Sequence, residues 1–248
     1  MQTISELDQY LDHLFLANSV SQILFLGLGT WVISSLSVHP TERVHFFRFN
    51  YRNDTLDVIG LMVLFVIAVQ PLIMLLSWLN AQLPVSDDYL NLEASQMEMI
   101  TNYLTTDHII LLTLFNVSFI PAVCEEILFR GYALRMLEKS WGIVIAIVIS
   151  GLIFGLFHMR LTQLLPLAML GIAFAYVTWK SNSLYPAITG HFVNNGSAVL
   201  MASYYPEYAI DSLGVPEFPP LILLLPSILV TGIVLYIIHH RERFTRNY

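Results

Sequence analysis

Apolar runs separated by short polar turns repeat along this chain, and seven of them approach the ~20 residues needed to cross a bilayer. They lie near residues 19–38, 57–79, 108–128, 142–158, 163–179, 184–203 and 219–238, and each is predicted to be a helix. The expected fold is therefore all-α: one polytopic transmembrane helical bundle over residues 1–248, with about seven transmembrane helices. Between the second and third runs, Asn80 to Asp107 is polar and acidic. Its Leu92, Met97, Met99, Ile100, Tyr103 and Leu104 suit either a short helix in the membrane interface or an ordinary loop. No internal repeat or low-complexity tract interrupts the pattern.

Charge adds an orientation. Arg43, Arg48 and Arg52 follow the first run, Arg135 and Lys139 the third, Lys180 the fifth, and Arg241, Arg243 and Arg246 the seventh. With seven crossings these cations share one side, which the positive-inside rule makes cytoplasmic. The other loops hold Glu6, Asp87, Asp88, Glu93, Glu98, Glu207, Asp211 and Glu217, with Arg160 as their cation. The N-terminus is thus expected outside and the C-terminus inside. Trp31, Trp78, Trp141 and Trp179 fall near helix ends as interfacial anchors.

Composition narrows the class. Of the 248 residues, 56% are hydrophobic and only 12% charged, whereas soluble domains carry about 25% charged residues. The net charge of −7, with no basic stripe beyond the inner loops, excludes a nucleic-acid partner and leaves the lipid bilayer as the surrounding medium. The one cysteine, Cys124, excludes an internal disulfide and reads as a small packing residue. Residues 1–18 carry no Lys or Arg, so the first run is expected to be a retained helix and not a cleaved signal.

Ionisable groups in hydrocarbon are costly and usually mark function. Here they are Glu125, Glu126 and Arg130 in the third run, His158 at the end of the fourth, and His191 with Asn195 in the sixth. Adjacent residues on a helix point about 100° apart, so the two glutamates face different ways. Glu126 and Arg130, four apart, share a face and form the orienting pair, which leaves Glu125 for a cavity. In a hairpin turning near Trp141, Glu125 and His158 lie level, and Phe154 walls the same space. The levels of His158 and His191 fit less well: His191 stands roughly 13 Å above Asn182 at the helical rise per residue. The path between Arg160 and Leu165 must therefore depart from a simple crossing, with Pro166 opening a shorter or tilted helix.

These groups suit peptide hydrolysis. Glu125 would take a proton from water and return it to the leaving amine, His158 would orient that water, and His191 with Asn195 would donate to an oxyanion. Equally, Glu125, His158 and His191 form a two-histidine, one-carboxylate set able to hold a divalent metal such as zinc with a water position open. The residues alone leave both schemes standing. A proton relay in a small transporter is a further reading, though the chain has no inverted repeat.

The three motifs together resemble the CPBP family of intramembrane proteases, the CAAX-protease and bacteriocin-processing (Abi) group. Its pattern is a glutamate pair with an arginine four beyond the second, then Phe-x-x-x-His, then His-x-x-x-Asn or Asp. Glu125, Glu126 and Arg130, then Phe154 and His158, then His191 and Asn195 follow it in order, with Gly131 after the arginine. The resemblance covers about residues 108–203, the expected catalytic core. It implies an intramembrane endopeptidase acting on a membrane-associated or lipid-anchored peptide, with Glu125 and His158 activating water and His191 and Asn195 forming the oxyanion site. It also implies a multi-pass cell-membrane protein, bacterial from its small size. The family includes members described as metalloproteases and non-catalytic members tied to bacteriocin immunity or scaffolding.

Overall fold

The apolar runs contain few strand-like alternations, and in the computed structural model all of them fold as helix. The structure describes residues 2–105, 110–207 and 216–241, with side chains from residue 10 onward. Helix α1 covers residues 2–34 and widens to π-type hydrogen bonding over Gln22–Leu28. The second run divides into α2 (Thr55–Ala68) and α3 (Gln70–Asn80), bent by 48°. Pro71 explains the bend: it has no N–H to donate, and its ring crowds the carbonyl four residues earlier. The remaining long helices are α4 (Asp87–Thr105), α5 (Ile110–Trp141), α6 (Ile143–Phe157), α7 (Leu164–Ser181), α8 (Tyr185–Tyr204) and α9 (Leu221–His240).

Among the described residues, four stretches are long and apolar enough to span a membrane: Tyr10–Ser34, Ile110–Trp141, Leu161–Ser181 and Leu221–His240. The bent α2–α3 pair makes a fifth. Two of the seven expected crossings fall short for different reasons. Helix α6 has 15 residues, about 22 Å at 1.5 Å each against a hydrocarbon core of about 30 Å. Helix α8 is long enough but is diluted by His191, Asn194, Asn195 and Ser197.

Loops with cations gather at one end of the bundle. Arg48 is buried and bonds Glu138 at 2.7 Å, while its carbonyl accepts from the Leu184 N–H at 2.8 Å. Asn50 donates to the Asn182 carbonyl at 2.9 Å, and Arg135 to that of Phe46 at 3.2 Å. Arg241 lies 3.4 Å from Asp57. At the opposite end Asn80, Tyr89 and Glu93 reach the turn after His158. This segregation matches the grouping read from charge. Arg243, Arg246, Asp107 and Asp211, with the side chain of Glu6, lie outside the described residues.

The polar segment before α5 is helical and packed. Tyr103 is fully buried and stacks on Phe15 of α1 with ring centroids 3.8 Å apart. The main core joins α2, α7 and α9 through Met62, Phe65, Val66, Phe174, Val177 and Val234. Elsewhere large apolar side chains point outward, among them Phe25, Val144 and Ile222, as a lipid-facing surface requires.

Helices α6 and α7 touch backbone to backbone. A methyl group on Gly171 would sit 2.8 Å from the Gly151 Cα and 3.2 Å from Phe154. Gly171→Ala is expected to force the pair apart and destabilise the protein by about 1–3 kcal/mol, read as a lower melting midpoint in detergent. An unchanged midpoint would mean the hairpin tolerates a wider crossing.

Candidate active site

Helix α5 changes its winding around the glutamate pair. Leu114–Phe119 and Ile127–Ala133 are π-type, and Ile120–Glu126 between them is α-helical. Pro121 lies in this middle piece, so the Val117 carbonyl has no donor four residues on. The Asn195 amide of α8 fills that vacancy, donating to the Val117 carbonyl at 3.2 Å. Ser118 likewise donates to the Phe192 carbonyl at 2.6 Å, and a side chain on Gly196 would crowd Ser118. Proline in α5 thus selects an amide in α8. Asn116 packs to the other side, accepting from Ser19 of α1 at 3.0 Å.

Glu126 and Arg130 form a wholly buried ion pair at 2.7 Å. Arg130 also donates to the Gly171 carbonyl at 3.1 Å, and its guanidinium lies 4.2 Å from the Phe154 ring centroid and 5.4 Å from that of Phe174. The cation is therefore held by a carboxylate, a carbonyl and two aromatic faces, which suits arginine and not lysine. The same carboxylate takes a third helix: His191 Nδ1 lies 3.0 Å from Glu126 Oε1. The sequence groups His191 with Asn195, or with Glu125 and His158, and does not anticipate this contact. Spacing gives the face of one helix but not the rotation of its neighbour.

Glu125 faces differently, as the 100° offset requires. It is 6% exposed, and its Oε2 lies 3.9 Å from His158 Nε2. That separation is too long for a direct hydrogen bond. His158 Nδ1 lies 2.8 Å from the Phe154 carbonyl, an acceptor, so the ring carries its proton there and neutral His158 turns a bare nitrogen toward Glu125. Among the described residues, Glu125 Oε2 is buried without a hydrogen-bond partner. Two acceptors thus confront each other across a gap that one donor molecule would bridge.

The mismatch of level expected between His158 and His191 is spanned by Phe154. Its ring centroid lies 4.7 Å from that of His158 and 5.8 Å from that of His191. The chain after His158 turns through Met159, in the left-handed region at φ 51°, and a short helical turn at Leu161–Gln163. Pro166 occupies the first turn of α7, and the departure expected between Arg160 and Leu165 is a tight, partly buried turn at the end of the bundle.

The donor set suggested for a metal is not assembled. Among the described residues, no three His, Cys, Asp or Glu side chains converge as ligands. His191 Nδ1 is engaged by Glu126, while His158 Nε2 faces Glu125. Buried Cys124 belongs to packing: a side chain on Gly27 of α1 would meet its sulfur at 3.4 Å.

Beside α8 a cleft of about 420 Å³ opens between α3 and α7. Gln70, Gln163, Asn194 and Ser197 line it together with Leu170 and Met201. Gln70 donates to Asn194 at 3.4 Å, and Asn194 donates to Asn195 at 3.2 Å, linking the cleft to the site.

Fold and site together are those of a multi-pass helical membrane protein with a polar centre. Residues 107–197 match the family described as type II CAAX prenyl endopeptidase, Rce1-like, a little over a third of the chain. The match takes in Glu125, Glu126, Arg130, Phe154, His158, His191 and Asn195 and agrees with the protease resemblance of the motifs. No curated protein and no solved structure gives a significant match.

Proposed function

We propose that this protein is an intramembrane endopeptidase that hydrolyses a membrane-associated or lipid-anchored peptide with water activated by Glu125 and His158. The observation that carries the reading is the facing pair of acceptors, Glu125 Oε2 and His158 Nε2, 3.9 Å apart. Water placed between them donates one O–H to each and aims its lone pairs away from both. Glu125 takes a proton as the water oxygen bonds to the scissile carbonyl carbon. The carbonyl becomes a tetrahedral oxyanion. Its collapse breaks the C–N bond, and the proton on Glu125 passes to the departing amine. Water and amide become acid and amine, with Glu125 restored.

Asn195 and His191 serve the oxyanion on unequal terms. One Asn195 amide hydrogen is held by Val117, which leaves the second to donate. His191 gives its Nδ1 hydrogen to Glu126, so its Nε2 donates only when the ring is doubly protonated. Each oxyanion donor lowers the barrier by about 3–4 kcal/mol. The cleft lined by Gln70, Gln163 and Asn194 is the access path, its neutral amides suited to a peptide backbone. The cation-rich end faces the cytoplasm, and the membrane is a bacterial plasma membrane.

The test is cleavage of a synthetic lipid-anchored peptide by purified protein in vesicles, with products read by mass spectrometry. Wild type should cleave, while Glu125→Ala, His158→Ala and His191→Ala should not. Activity surviving all three substitutions removes the mechanism. Cleavage that disappears on chelation and returns with zinc would replace it with the metal scheme.

A further inference from the structure

We propose that Glu93, on α4 and outside the matched segment, is a positioning residue that holds His158 through the turn that follows it. Glu93 is 4% exposed although it sits in an acidic, polar stretch. Its carboxylate accepts from the Leu161 N–H, from the Thr162 N–H at 3.2 Å and from the Thr162 hydroxyl at 2.5 Å. Successive N–H groups of this kind form a small anion site. Burial pulls the nearby Arg160 guanidinium below its ordinary value, and the Glu93 charge acts against that pull.

Two other side chains complete the clamp. Asn80, 1% exposed, donates to the Leu161 carbonyl and accepts from the Leu165 N–H, both at 2.7 Å. Tyr89 donates to the Met159 carbonyl at 2.8 Å. Met159 immediately follows His158 and holds a left-handed φ of 51° without being glycine. A non-glycine residue keeps such a backbone only where its surroundings fix it. The polar segment that reads as a loop or an interfacial helix is therefore a strap. It sets where α6 stops, and so where the imidazole stands relative to Glu125.

The kinetic arm of the test rests on the proteolytic reading above; a spectroscopic arm does not. Glu93→Gln keeps the shape but removes the charge: one amide oxygen is left for the backbone N–H groups, and an NH₂ is turned toward the Thr162 hydroxyl that the carboxylate accepted. It is expected to lower kcat about 10- to 100-fold, as a misplacement near 1 Å would, with KM within about twofold. An unchanged kcat overturns the proposal. With histidine-labelled protein in detergent, Glu93→Gln should shift or broaden the His158 ring resonance and leave that of His239 in place. A folded variant with an unmoved His158 resonance overturns positioning. Tyr89→Phe, a milder change at the same turn, should move that resonance in the same direction, which covers the case of a Glu93 variant that does not fold. If wild type cleaves nothing and the resonance still moves, the protease reading falls and the clamp stands.

Discussion

Glu125→Gln is expected to slow peptide cleavage by about 10²–10⁴-fold, the usual worth of a general base, while leaving the protein at least as stable. The two halves of this expectation share a cause. Among the described residues Glu125 Oε2 is buried without a hydrogen-bond partner, 3.9 Å from an imidazole nitrogen that is itself an acceptor. A carboxylate in that position is costly to desolvate, and among the described residues no hydrogen bond to Oε2 offsets that cost. An amide of the same shape removes the charge and brings donors that His158 Nε2 accepts, but it takes no proton from water. A melting midpoint held or raised while the rate collapses is the signature to look for. Full activity in this variant would show that another group is the base.

Arg130→Met is expected to have the opposite balance, costing about 3–5 kcal/mol of stability because it strands a buried charge. Glu126 would be left fully buried with only the His191 imidazole beside it. Arg130→Lys should rescue little. A lysine point charge reproduces neither the fork between Glu126 and the Gly171 carbonyl nor the stacking on Phe154. Adding Glu126→Gln to Arg130→Met should recover part of the loss, because the stranded charge is then gone. Melting midpoints of the three variants in detergent check this. Wild-type stability in Arg130→Met would mean the ion pair is not what joins these helices.

The helices themselves were legible because hydrocarbon-length apolar runs have one common solution. Lipid offers the backbone no hydrogen bonds, so each run satisfies its own. The Glu126–Arg130 pair was equally legible, since i,i+4 spacing decides it without reference to any other helix. The level match of Glu125 with His158 followed from counting residues either side of the Trp141–Gly142 turn. Three features were harder to see. The contact of His191 with Glu126 depends on how α8 is rotated against α5, which no spacing encodes. The shortness of α6 follows from a turn braced by Asn80, Tyr89 and Glu93, residues some 70 to 85 positions away in sequence. The Asn195–Val117 contact did have a signal. Pro121 announces an orphan carbonyl four residues earlier, and an amide on a neighbouring helix is the natural donor.

Arg130 sits where α5, α7 and, through Glu126, α8 are pinned to a single point. Nothing can loosen around it by degrees. The inner trio of helices should exchange its amide hydrogens as one block, on the timescale of complete unfolding. Breathing that admits a bulky chain must then come from outside that trio, where α3 lines the cleft beyond its proline bend. A crosslink fastening α3 to α7 should shut the protein to long substrates without cooling its chemistry on short ones.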